Sequence, residues 1–97
     1  MTHIYTTKDK SVILSAQEIS GGFVCGYDMR TETFMRIHEK QLTKETVVSV
    51  FNHVGLNNEA LVGRIAGFLN RRGTNFEELS KYTEVSVRTL YRYINMN

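Results

Sequence analysis

The chain has 97 residues, 41% of them hydrophobic, with 12 Lys/Arg, 10 Asp/Glu and a formal net charge of +2. That length predicts one domain, or two very small ones sharing a core, and no apolar run nears the roughly 18 residues needed to span a membrane. The opening MTHIYTTKDK lacks a secretory apolar region and Cys25 is the lone cysteine, so the expected location is cytoplasmic, with no internal disulfide.

Residues 3–8 are rich in β-formers, and residues 11–19 place Val12, Leu14 and Ala16 at period two. Gly21-Gly22 is a turn signal, and Phe23, Val24, Cys25 and Tyr27 read as the next short strand. After a turn over 28–32, residues 33–37 alternate again, with Phe34 and Arg36 on one face and Met35 and Ile37 near the other. Short strands separated by short turns predict a three- or four-stranded antiparallel meander. A sheet this small needs a cover on its apolar face; its expected role is dimerisation, with ligand sensing as the other reading. Cys25 reads as a small strand hydrophobe before a redox sensor. His3, His38 and His53 stand 35 and 15 residues apart, which is no metal-ligand pattern, so neither a metal nor a cofactor is expected.

The junction between sheet and helices is expected over 40–45. Thr43 can cap a helix running to about His53, with Val47, Val48, Phe51 and Val54 as its apolar stripe, and Gly55 can stop it. Asn57 or Asn58 caps the next helix, whose buried face is Leu61, Val62, Ile65, Phe68 and Leu69, with Ala66 allowing close approach. Arg71 and Arg72 end it, where cations suit the helix dipole or could meet phosphates. The fold class predicted is α+β: a small N-terminal antiparallel β-meander (1–42) followed by a C-terminal helical bundle (43–97) with helices near 43–54, 58–72, 75–82 and 86–95.

The last two helices carry the functional signal. Thr74 stands three residues before Glu77, a capping-box spacing, and Ser86 reads as the N-cap of the final helix. Two helices joined by a turn of three to four residues have the geometry of a helix-turn-helix. Leu79, Val85, Leu90, Tyr93 and Ile94 can converge on one interior. Ser86, Val87, Arg88, Thr89, Tyr91 and Arg92 are left at the start and outer face of the last helix, which suits insertion in a DNA major groove. The charge agrees: Lys/Arg and Asp/Glu number six each up to Gly55, then six against four from Leu56 onward.

The residues Leu79-Ser80, Val85-Ser86, Thr89-Leu90, Arg92 and Ile94 resemble the helix-turn-helix of bacterial transcription regulators, a pattern shared by the lac-repressor-like, TetR-like and AraC-like families. The run VSVRTLYRYI is similar to the recognition helix of TetR-like proteins, and the resemblance as a whole covers about 20 of the 97 residues. Those families usually place glycine, which tolerates a left-handed turn, where this chain has Glu84. The resemblance implies a double-stranded DNA-binding transcriptional regulator. One such helix makes too few contacts for a strong site, so a homodimer on a palindrome with half-sites about 34 Å apart is expected, and repression is the default expectation because so short a chain has little room for a polymerase-recruiting domain.

In that reading Arg88 pairs with a guanine, Ser86, Thr89 and Tyr91 meet a base or a phosphate, and Val87 touches a thymine methyl. Arg92 and Lys81 neutralise phosphates together with backbone amides near Thr74 and Asn75. The alternative is a protein–protein interaction module on the same motif, since Glu77, Glu78 and Glu84 lie close to the phosphate path. No nucleophile–base set, phosphate loop or carboxylate pair suggests an enzyme.

Overall fold

The computed structural model describes residues 3–97 and divides into two units, one ending at Thr46 and the other beginning at Val47. It is α+β: five antiparallel strands, then four helices. The strands are β1 (Ile4–Thr7), β2 (Ile13–Ser20), β3 (Phe23–Asp28), β4 (Phe34–His38) and β5 (Leu42–Lys44), in the spatial order β4-β3-β2-β1-β5.

Local chemistry accounts for the hairpins. Gly21 and Gly22 both take positive φ, 60° and 79°, the two-residue connection whose twist matches the strands it joins. It sets the register Ser20↔Phe23 and Ile19↔Val24. The register slips between Ala16 and Glu18, where Gln17 bulges. There Gly26 pairs with Ala16, and the Ser15 carbonyl occupies the space a Cβ at Gly26 would need. Asp28 organises the next turn: its carboxylate accepts from the Ile13 amide (3.2 Å), the Arg30 amide (3.2 Å) and the Thr31 hydroxyl (2.9 Å). Leu14, Ala16 and Val24 are buried together, with Tyr5, Val12, Met35 and Leu42 packed around them, which is the face the period-two pattern predicts.

The fifth strand differs from the expected meander. Residues 42–44 pair with β1 (Thr7↔Leu42, Thr6↔Thr43) after a short 3-10 turn at Glu39–Gln41. Thr43 is therefore a strand residue and caps no helix. The boundary expected after residue 42 moves past Glu45, whose carboxylate accepts from the buried Thr6 hydroxyl at 3.0 Å.

The helices are α1 (Val47–Val54), α2 (Glu59–Arg71), α3 (Phe76–Thr83) and α4 (Val87–Asn95). In α1, Val50 and Phe51 are buried, whereas Val48, expected in the apolar stripe, is exposed. Asn58 caps α2 by accepting from the Leu61 amide, and all five residues of its expected buried face are buried. Gly63, Ala66 and Gly67 are also buried there. The Tyr93 carbonyl and the Ile94 side chain of α4 stand against Gly63 and Gly67, so the two small residues let α2 and α4 approach closely. Asn97 fastens the end of α4 to α2: its amide donates to the Ala60 carbonyl (3.1 Å) and accepts from Arg64 Nε (2.8 Å). Among the described residues no helix is long and apolar enough to cross a membrane.

Candidate nucleic-acid interface

The start of α3 is capped by Asn75, not Thr74. The Asn75 side chain accepts from the Glu78 amide at 2.8 Å, while Thr74 uses its carbonyl to accept from the Asn70 amide group. Asx and Ser/Thr residues cap by the same mechanism, and with both types adjacent the capping-box spacing selected the wrong one.

The link from α3 to α4 is three residues, Glu84–Ser86, and three local devices shape it. The buried Thr83 hydroxyl donates to the Leu79 carbonyl (2.7 Å) and accepts from the Val85 amide (3.2 Å), bridging helix end and turn. Glu84 takes the left-handed conformation, φ 59° and ψ 20°, which costs a side-chain-bearing residue on the order of 1–2 kcal/mol. Ser86 then caps α4, accepting from the Thr89 amide at 3.2 Å and donating to the Thr89 hydroxyl at 2.9 Å. Leu79 and Leu90 are fully buried, each stabilising the packing by roughly 1.5–3 kcal/mol, and Tyr93 is buried beside them. Val85 and Ile94 are half-buried.

With Leu90 and Tyr93 inward, Arg88, Tyr91, Arg92 and Asn95 are exposed. Together with half-buried Thr89 they line an open concavity of about 520 Å³. Phe76, at the start of α3, stacks on Tyr91 with ring centroids 4.4 Å apart. The Arg92 guanidinium lies 5.5 Å from the Tyr93 ring centroid. Two positive charges, a phenol and an amide therefore share one face, and among the described residues no carboxylate lines it. Such a face can donate to phosphate oxygens and to acceptor edges of bases.

No family model, curated protein or solved structure matches this chain.

The residues singled out from sequence fall into two sets. Arg88, Thr89, Tyr91 and Arg92 come together around the concavity. Ser86 and Val87 lie at the start of α4 and do not line it, and Lys81, Thr74 and Asn75 belong to α3 and its approach. Ser86 and Asn75 serve as caps. Exposed Glu77 and Glu78 occupy the first turn of α3, where negative charge suits the helix dipole. Asn95 is the residue that sequence reasoning passed over. Its signal was its spacing, seven residues and thus nearly two turns beyond Arg88.

Proposed function

We propose that this protein is a sequence-specific double-stranded DNA-binding transcriptional regulator, a repressor acting as a homodimer on a palindromic site. In this reading α3, the Glu84–Ser86 link and α4 form a helix-turn-helix, and α4 lies in the major groove. The observation that carries it is the outward face of α4, where exposed Arg88 and Arg92 flank Tyr91 around a concavity that, among the described residues, no acid lines. The left-handed Glu84 adds support, because it takes the conformation for which the resembling families use glycine.

Roles follow from reach and chemistry. Arg88 pairs bidentately with a guanine edge, a contact that discriminates by about 1–3 kcal/mol. Tyr91 and Thr89 meet a base or a phosphate, Val87 a thymine methyl, and Arg92 and Lys81 neutralise phosphates. Ser86 and Asn75 act mainly by holding the helix starts, their side-chain oxygens being engaged by the Thr89 and Glu78 amides. A single such helix makes few contacts, and a homodimer with half-sites about 34 Å apart doubles them.

Selection of bound fragments from genomic DNA tests the reading, with Arg88→Ala beside the wild type. The variant loses more affinity for selected than for random duplexes; equal losses reject base reading by Arg88. The second reading, a protein-interaction module, rests on exposed Glu77, Glu78 and Glu84 around α3, which oppose a phosphate backbone. It predicts no enrichment of any DNA sequence.

A further inference from the structure

We infer that Asn95 is a second base-reading residue of the α4 face, selecting an adenine within about three base pairs of the pair that Arg88 contacts. This rests on the DNA-binding reading above. Asn95 lines the same concavity as Arg88, Tyr91 and Arg92 and is exposed. Its side-chain amide makes no hydrogen bond among the described residues. Four other asparagines are engaged: Asn58 and Asn75 cap helices, Asn70 donates to the Thr74 carbonyl, and Asn97 fastens α4 to α2; exposed Asn52 and Asn57 resemble Asn95 in having no such role, but neither lines the α4 concavity.

Position and chemistry select the ligand atom set. Seven residues at 1.5 Å each separate Arg88 and Asn95 by about 10.5 Å along α4, on nearly the same line of the helix surface. Base pairs stack about 3.4 Å apart along the duplex, so the two side chains address pairs at most about three steps apart. The carboxamide offers one donor and one acceptor side by side, which matches N7 and the N6 amino group of adenine in the major groove. The last turn of a helix normally frays. Here the Asn97 amide donates to the carbonyls of Ala60 (3.1 Å) and Tyr93 (3.2 Å), so the backbone under Asn95 is held against α2. The side chain is thus presented from a fixed support, as a base-reading group requires.

The test is selection from a random duplex pool with the full chain, comparing wild type, Asn95→Ala and Arg88→Ala, with circular dichroism to match their folding. The wild type enriches a guanine column and, within about three pairs of it, an adenine column in each half-site. Replacing that adenine weakens wild-type binding on the order of tenfold and leaves Asn95→Ala unchanged, while Arg88→Ala loses the guanine column alone. An adenine column of full strength in Asn95→Ala overturns the inference and leaves the DNA-binding reading standing. A wild type that enriches no sequence removes both.

Discussion

The carbonyl group of Tyr93 occupies the space that a Cβ at Gly63 would need, so α2 and α4 meet backbone against backbone. Gly63→Ala must therefore push α4 away from its support. Overpacking of this kind costs about 1–3 kcal/mol, and thermal melting should fall by roughly 4–8 °C for each kcal/mol lost. An unchanged melting temperature would mean that the two helices are spaced more widely than the structure has them.

Glu84 sits at φ 59° between α3 and α4. Glycine has no Cβ penalty there, although it gains entropy when unfolded. Glu84→Gly should raise stability by up to about 1 kcal/mol, seen as a higher urea midpoint at constant slope. A lower midpoint would show that the residue does not hold the left-handed conformation.

Phe76 and Tyr91 stack at 4.4 Å between centroids and join the start of α3 to the outer face of α4. A double-mutant cycle with Phe76→Ala and Tyr91→Ala should give a coupling energy of about 0.5–1.5 kcal/mol. Strict additivity would mean the rings do not touch in solution.

Asp9 accepts hydrogen bonds from the Thr7 hydroxyl (2.7 Å), the Ser11 amide (3.1 Å) and the Ser11 hydroxyl (2.8 Å). These bonds, led by that from Thr7, favour the carboxylate and lower its pKa from 3.8 to about 2. Because the folded value is depressed, the stabilisation is complete above pH 3.8 and disappears as pH falls through about 2. Carboxyl chemical shifts across an acid titration should show the low midpoint, and Thr7→Val should move it upward. A wild-type midpoint at 3.8 would contradict the hydrogen-bonded turn.

Much of this architecture is written in short-range patterns. Asn58, Ser86 and the Gly21-Gly22 pair each act through neighbours within three residues, so α2, α4 and the β2–β3 hairpin lie close to where periodicity and capping chemistry put them. What escaped depends on distant partners. Leu42, Thr43 and Lys44 become a strand because β1 offers them an edge, and nothing local distinguishes Thr43 from a helix cap. Val48 and Val50 are equally apolar, and only tertiary packing decides that Val50 goes in. Thr83 reads locally as a break, yet its hydroxyl is the bridge between α3 and the turn.

The α4 face was legible by the same logic. Leu90 and Tyr93 at three-residue spacing define the buried side, which leaves Arg88, Tyr91 and Arg92 outside whatever the rest of the chain does. Asn95 and the Phe76–Tyr91 stack were not read, because each gains meaning from a partner surface and not from its own neighbourhood in the chain.

The most direct measurement is fluorescence polarisation of duplex DNA at a series of salt concentrations, comparing the wild type with Arg92→Ala. A face that neutralises phosphates predicts affinity falling linearly with salt on logarithmic axes, and a slope about 0.9 shallower once Arg92 is removed. Binding that does not change with salt, or a slope identical in the two proteins, would contradict a DNA-facing α4.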